Sequence, residues 1–493
     1  MPVVSRREWL ASLLACPALS IAAPDPEAWI PLFDGASLDG WTAGENRDSF
    51  RVEGGTIVAA GSRSHLFYTG NVREANFKNF ELRADVLPHP GANSGIYFHT
   101  RFQKQGWPTA GFEVQINNSY TGEGRYRERR KTGSLYGVRN VYKAFARDGE
   151  WAQLHITVRG KQVQVRLNNL LLVDYVEPDP PIRAEKTMER VLNRGTFALQ
   201  CHDPGSRTHF RNIAVKPLPD DVRASAAAPE VDDVYRQILD LSARNFPVVD
   251  YHTHLKGGLT IDEMLRESRR LGIQYGVAVN CGVSFPIHND AGLNDFLETM
   301  KGQPVFIALQ AEGREWVNLV SSETVAKFDY VFTDSMTYTD DAGKRMRLWI
   351  KEEVGDIRDP QAFMETYVDR TVGILNREPI DIYANPTFLP DVIAAQYDAL
   401  WTEERMRRVV KAAATNGVAM EINSRYRLPI PAFIQMAKAA GVKFSFGTNN
   451  DARHLGRCEY GLRMVKECGL DWHDFFIPKE DGNKPVQVRG LKG

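Results

Sequence analysis

The sequence predicts two folded units of different class, an all-β antiparallel sandwich followed by an α/β distorted (β/α) barrel. Three observations carry this. Across residues 29–219, short segments alternate apolar and polar residues and are separated by Gly, Asn and Pro, the pattern of an antiparallel sandwich. Beyond residue 232, apolar strands alternate with helical stretches, which marks parallel strands joined by crossover helices. Between them, residues 217–230 (PLPDDVRASAAAPE) are rich in Pro and Ala without periodicity and read as a linker. The domains are therefore expected at 29–219 and 232–478, with the linker at 220–231.

Composition narrows the functional classes. A chain of 493 residues is too long for one ordinary core. It is 43% hydrophobic and 25% charged, as expected of a soluble globular protein. Lys and Arg number 61 against 62 Asp and Glu, and this balance gives no electrostatic argument for nucleic acid or an anionic membrane. The five cysteines (Cys16, Cys201, Cys281, Cys458, Cys468) are scattered, with no metal-type spacing and no disulfide framework.

Residues 1–23 read as an export signal. Ser5-Arg6-Arg7-Glu8-Trp9-Leu10 has the twin-arginine form, and an apolar run with a small-residue end follows it. The run is too short to span a bilayer, and no other segment approaches that length. The mature protein is expected outside the cytoplasm, periplasmic or extracellular. Leu13-Leu14-Ala15-Cys16 resembles a lipobox, so a lipid anchor on Cys16 is the alternative.

In the first unit, three strand candidates share one arrangement. In residues 111–117 (GFEVQIN), Phe112, Val114 and Ile116 point to one face, and Glu113, Gln115 and Asn117 to the other. Residues 96–101 (IYFHTR) set Ile96 and Phe98 against Tyr97, His99 and Arg101, and residues 197–202 (FALQCH) set Phe197, Leu199 and Cys201 against Gln200 and His202. An ordinary solvent face carries Lys, Glu, Thr and Ser. A row of Glu, Gln, Asn, Tyr, His and Arg is richer in the planar hydrogen-bonding groups that suit sugar hydroxyls. Trp107, Tyr136 and Trp151 are candidate stacking platforms, and Trp151 reads equally as core packing.

These motifs occur in a fixed order with residues 31–41 (PLFDGASLDGW), 93–98 (NSGIYF), 131–136 (KTGSLY) and 210–213 (FRNI). The set resembles the 3-keto-disaccharide hydrolase domain, a concanavalin-like jelly roll, over nearly all of residues 29–218. The resemblance implies cleavage of a glycoside whose sugar carries a ketone at its third carbon. The ketone acidifies the neighbouring ring C–H. A base removes that proton, the glycosidic oxygen leaves by β-elimination, and water adds to the enone. Family position and side-chain direction make Glu113 the candidate base and His202 the candidate acid. Asn93, Arg101, Gln115, Tyr136 and Trp151 would hold the substrate. Many sandwiches of this class only bind sugar, so a lectin-like module is the rival reading.

The second unit opens on residues 246–258 (FPVVDYHTHLKGG). An apolar strand runs into Asp250, His252 and His254, and two histidines two apart on extended chain point the same way and can share a divalent ion. The strand candidates that follow end in Glu312, Asp334, Asn385, Glu421 with Asn423, and Asn449 to Asp451. Barrels keep their chemistry at such C-terminal strand ends. A helix cap or turn explains any one of these residues, but not polar groups after nearly every strand. Oxygen ligands mixed with imidazole suit Zn, Mn or Fe.

Asp250-Tyr-His252-Thr-His254, Glu312, Glu421 and residues 447–452 (GTNNDA) resemble the PHP (polymerase and histidinol phosphatase) metallohydrolases. The resemblance implies a PHP-type barrel and metal ligands His252, His254, Glu312, Glu421 and Asp451. Asn385 and Arg453 stand where the family has histidine, so one or two metals are expected rather than three. Arg425 and Arg453 are candidates for binding an anionic group, or for surface ion pairs. The expectation is an exported carbohydrate-active hydrolase with a metal-dependent second domain. Two alternatives are a catalytic barrel carrying a sugar-binding sandwich, and a scaffold barrel beside a catalytic sandwich.

Overall fold

The structure, a computed structural model, describes residues 28–491 except 125, 185–188 and 341. The export signal and Cys16 lie outside the described residues. Residues 30–217 build two antiparallel sheets around one core. The larger sheet runs Leu170–Val176, Gln162–Leu167, Ala152–Arg159, Phe80–Pro88, Arg207–Pro217, Thr56–Ala60 and Phe50–Glu53, with Ile30–Pro31 added on Arg207–Pro217. Phe80, Leu82, Ala84 and Val86 enter the core from one side of their strand, and the intervening residues are less buried. This is the period of two that the sequence carries.

The smaller sheet runs Trp41–Ala43, Ser64–Tyr68, Thr196–Cys201, Ser94–Thr100 and Phe112–Ile116. Its last three strands are buried on both faces, although their sequences alternate. Ile96, Phe98, Phe112, Val114, Phe197 and Leu199 fill the core. The polar side is covered by the chain that follows Ile116, which pairs along the sheet edge through Gln115 N–H to Ser134 O (2.9 Å) and Tyr136 N–H to Glu113 O (3.0 Å). Covering an edge in this way removes a template for aggregation. Here it also turns a polar sheet face into the floor of a cavity.

The second unit is a closed barrel of seven parallel strands. They are Val249–Thr253, Gln274–Cys281, Phe306–Ala311, Tyr330–Thr333, Ile382–Tyr383, Ala419–Asn423 and Phe444–Gly447, and the last pairs with the first. The opening strand lies further along the chain than its apolar residues suggest, so His252 stands within it. Helix Ile261–Leu271 starts on a Thr260–Glu263 capping box and ends at Gly272, whose φ of 83° suits glycine. The barrel unit continues past residue 478. Val486 joins its core, and Lys484 Nζ donates to the carbonyls of Ala326 (2.7 Å) and Phe328 (2.8 Å). Among the described residues no helix is long and apolar enough to cross a membrane, and Cys201, Cys281, Cys458 and Cys468 are buried free thiols.

The two units interlock. Tyr235 and Leu239 of helix Asp233–Ala243 belong to the sandwich core, while Tyr142 of the sandwich belongs to the barrel core. Two sandwich arginines cap helix ends across the border. Arg130 Nη2 donates to Ser242 O (3.1 Å) and Ala243 O (3.2 Å). Arg139 donates to Arg269 O (3.1 Å) and Arg270 O (2.9 Å). A cation over the unsatisfied carbonyls of a helix C-terminus is favourable in both charge and hydrogen bonding. Lys143 adds an ion pair to Asp329 at 2.6 Å.

Candidate functional site

The covered polar face of the smaller sheet forms a cavity of about 400 Å³. Strand register sets Tyr97 opposite Glu113, and the Tyr97 hydroxyl donates to Glu113 Oε2 at 2.7 Å. Gln200 Nε2 donates to Glu113 Oε1 at 2.9 Å, and Arg190 stands 3.9 Å from the carboxylate. Burial pushes the Glu113 pKa up, opposed by Arg190 and by the Tyr97 hydrogen bond. Burial also holds the Tyr97 phenol well above its ordinary value, so it keeps its proton and stays a donor. Gly95 lies beside the carboxylate, where an added Cβ would come within 2.7 Å of Glu113 Oε1. Only glycine leaves Glu113 this space.

His202 stands at the same cavity, with Nδ1 2.7 Å from Asp203 Oδ2. A carboxylate only accepts, so Nδ1 carries the proton and Nε2 is left for exchange. Burial raises the Asp203 pKa, but the hydrogen bonds from His202 and Ser206 outweigh it and the carboxyl sits below its ordinary value. The His202 ring packs on Trp107 (5.1 Å between centroids) and lies parallel to Tyr126 (6.3 Å). Asn93 Oδ1 accepts from Gln115 Nε2 at 2.5 Å. Tyr126 donates to Glu128, and Glu128 pairs with Arg130 at 3.3 Å. The Arg130 guanidinium lies 4.2 Å over the Tyr136 ring.

Six predicted residues thus meet at one cavity: Glu113, His202, Asn93, Gln115, Tyr136 and Trp107. Two do not. Arg101 turns outward, its side chain 71% exposed and 3.5 Å from Glu189, because its strand ends at Thr100 and the alternation no longer governs it. Trp151 lies at the start of a strand in the other sheet, under the guanidinium of Arg211 (3.9 Å). Strand direction did place Tyr97 and Gln200 on the right face. Tyr126, Glu128 and Arg190 come from irregular chain, where no periodicity exists to reveal them.

The barrel has its own cavity, about 640 Å³, at the C-terminal strand ends. His254, Glu312, Asp334, Asn385 and Arg425 line it. His252 Nδ1 is 2.6 Å from Glu421 Oε1. Burial opposes charge on this imidazole, but the Glu421 carboxylate overcomes it and the pKa is raised. His252 Nε2 is buried without a hydrogen-bond partner among the described residues. His254 donates from Nδ1 to Ala278 O at 3.0 Å, and burial lowers its pKa to about 3. Glu312 accepts from Asn280 (2.8 Å), Gln310 (2.9 Å) and Thr337 (2.8 Å). Burial, with the neighbouring Asp334, raises its pKa to about 7.

The predicted metal ligands are not assembled as a set. Asp451 has a side chain 79% exposed and lies 3.6 Å from Arg425. The chain after Gly447 carries it to the surface, and Arg453 pairs there with Glu263. Among the described residues no group of three or more His, Cys, Asp or Glu side chains is placed to hold a metal ion. A divalent ion needs several deprotonated donors converging at a little over 2 Å. Here His252 and Glu421 engage each other, and three donors occupy Glu312. This arrangement does not fit the predicted metal.

A β-sandwich with a polar cavity on its smaller sheet, fused to a closed seven-stranded parallel barrel, is the class of protein that the fold and sites define. Within it, residues 28–216 match the family model described as a 3-keto-alpha-glucoside-1,2-lyase-like domain. Among solved structures, the chain is similar to a candidate glycosyl hydrolase from Parabacteroides distasonis. That likeness has 22% identity, covers 39% of this chain and 95% of the other, and has a TM-score of 0.34. It is also similar to the carbohydrate-binding module CBM66 from Bacillus subtilis, at 14% identity over 35% and 93% of the two chains (TM-score 0.23). A Bacillus subtilis protein with a galectin-like fold shows 10% identity over 40% and 96% (TM-score 0.24). No curated protein matches the chain.

Proposed function

We propose that the sandwich cleaves glycosides of 3-keto sugars by elimination and hydration, acting outside the cytoplasm. The observation that carries this reading is the setting of Glu113: a buried carboxylate, oriented by Tyr97 and Gln200, at the floor of a cavity shared with His202 and Asp203. With the sugar ketone at C3, Glu113 takes the C2 proton and the electrons pass to the ketone oxygen as an enolate. Arg190 and the Asn93 amide are the donors available for that oxygen, while Gln115 Nε2 is held by Asn93 Oδ1 and Ser94 O. As the enolate collapses, the C1–O bond breaks and the aglycone oxygen takes the Nε2 proton of His202, which acts in this reading as an imidazolium with its Nδ1–H held by Asp203. Water then adds to C1 of the enone and returns a free 3-keto sugar. A raised pKa suits Glu113 to this task, since it brings the base toward neutral working pH.

The Asp203–His202 pair favours a second reading in which the roles are exchanged. A neutral imidazole that donates from Nδ1 has a bare Nε2, which accepts a proton more readily than it gives one. His202 would then take the C2 proton, and Glu113, protonated through burial, would serve the leaving group. Paired substrates separate the readings. An aryl 3-keto-glucoside with a good leaving group needs no acid, whereas an alkyl one does. If Glu113 is the base, Glu113→Gln loses both activities by about 10²- to 10⁴-fold. Recovery on the aryl substrate alone assigns Glu113 as the acid. Undiminished turnover of both substrates removes Glu113 from the mechanism. The barrel's likeness to the PHP enzymes rests on short motifs, and its donor arrangement does not support metal-dependent hydrolysis there.

A further inference from the structure

The cavity at the barrel mouth differs in kind from the one in the sandwich. One rim is cationic: Lys256 Nζ donates to Asn449 Oδ1 at 3.1 Å, and Arg425 Nη1 donates to Asn449 O at 3.2 Å. Two cations thus converge on one residue. Among the described residues Lys256 has no ion pair, and Arg425 has only the exposed Asp451 at 3.6 Å. Like charges drawn together without a buried counter-ion are electrostatically costly in the free protein, and a bound anion relieves this.

The lining also carries apolar residues, among them Phe285, Phe296 and Met336, together with Trp349, which is 43% exposed. An exposed indole at a pocket mouth is suited to stacking against the C–H face of a sugar ring. The floor carries Glu312, Asp334 and Asn385, with Asn385 Nδ2 donating to Asp334 at 2.8 Å. Fixed carboxyl and amide groups of this kind pair with hydroxyls. The volume, about 640 Å³, lies within the range of small-molecule sites.

We infer that the barrel mouth binds an acidic saccharide without a metal ion, its acidic group between Lys256 and Arg425, its ring on Trp349 and its hydroxyls on the Asp334–Asn385 floor. The site is separate from the sandwich cavity and stands whether or not the proposed elimination chemistry holds. The acid is a carboxylate or a phosphate ester, and both match two converging cations.

The test is calorimetric titration of the full chain, in excess chelator, with galacturonate, glucose 6-phosphate, glucose and inorganic phosphate. The expected result is binding of galacturonate or glucose 6-phosphate at least ten-fold tighter than glucose, and tighter than inorganic phosphate. Preference between the two acids identifies the anion. Lys256→Ala, Arg425→Ala and Trp349→Ala should each weaken that binding at least ten-fold without changing the unfolding temperature, while Arg453→Ala leaves it unchanged. The inference is overturned if none of the probes binds, if glucose or inorganic phosphate binds as well as the acids, if the first three variants bind like wild type, or if binding appears only when a divalent metal replaces the chelator.

Discussion

Arg130 donates to the carbonyl oxygen of Ser242 at 3.1 Å, so a residue of the sandwich closes the end of the helix that leads into the barrel. The same guanidinium pairs with Glu128, which lines the sandwich cavity. One buried side chain therefore holds both the domain border and a wall of the candidate site. Replacing it exposes the cost of an unpaired buried charge. Arg130→Met should lower unfolding free energy by about 3–5 kcal/mol, and adding Glu128→Gln should restore part of the loss, because the stranded carboxylate is then gone. Urea unfolding of the two single variants and the double variant measures this. A double variant no more stable than Arg130→Met would refute the pairing.

Gly95→Ala probes the position of Glu113 without touching its chemistry. The new methyl would meet Oε1 at 2.7 Å and Cγ at 2.9 Å, and the carboxylate must move. Displacement on this scale should reduce turnover about 10²-fold. Circular dichroism and unfolding temperature should stay close to wild type, since only a side chain shifts. Wild-type turnover would show that the placement of Glu113 does not matter.

Tyr97→Phe removes a hydrogen bond that favours the ionised form of Glu113. Burial then acts with less opposition, and the carboxyl pKa rises further. If Glu113 is the base, kcat/KM falls as pH drops through that pKa, and the acid limb of the profile moves to higher pH in the variant. A limb moved to lower pH contradicts this.

Asp250 gives a stability signature. Its pKa, ordinarily 3.8, is raised to about 7 because burial outweighs the hydrogen bonds from Thr448 and the His252 amide. A raised carboxyl contributes stability fully below its unfolded value and loses it as pH rises through the folded one, at about 1.4 kcal/mol per pH unit. Asp250→Asn lacks that term. Relative to wild type, the variant should gain stability steadily from about pH 4 to about pH 7 and change little outside that window. Denaturant titrations across the window test this, and a constant difference between the two proteins would exclude a raised Asp250.

The sequence made the layers legible because alternation and strand–helix rhythm are local. Side-chain parity alone put Glu113, Gln115 and Gln200 on one face. Trp151 is a candidate by residue type and not by parity, and the strand it precedes, Ala152–Arg159, lies in the other sheet. The reach of parity stops where a strand stops, and Arg101 stands just past Thr100. Tyr126, Glu128 and Arg190 arrive from irregular segments, positioned by long-range pairs that leave no spacing to read. In the barrel, the order of strands was legible from their apolar runs. The fate of Asp451 depended on the path of a loop, and a motif of six residues does not encode that path.

The two arginine caps also order events during synthesis. Arg130 and Arg139 leave the ribosome 112 and 130 positions ahead of Ser242 and Arg269, whose carbonyls they will hold. Until those helices emerge, the guanidinium groups have only water as a partner on that side. The sheets of the sandwich pair strands as distant as Ile30–Pro31 and Arg207–Pro217, but all of these strands precede the barrel and do not wait for it. The segment bearing Tyr126, Glu128 and Tyr136 does wait, because its final anchors belong to later chain. The barrel thus acts as an internal template for the last piece of the sandwich to settle. A released chain ending before residue 242 would hold every strand of the sandwich and lack the carbonyls that anchor Arg130 and Arg139.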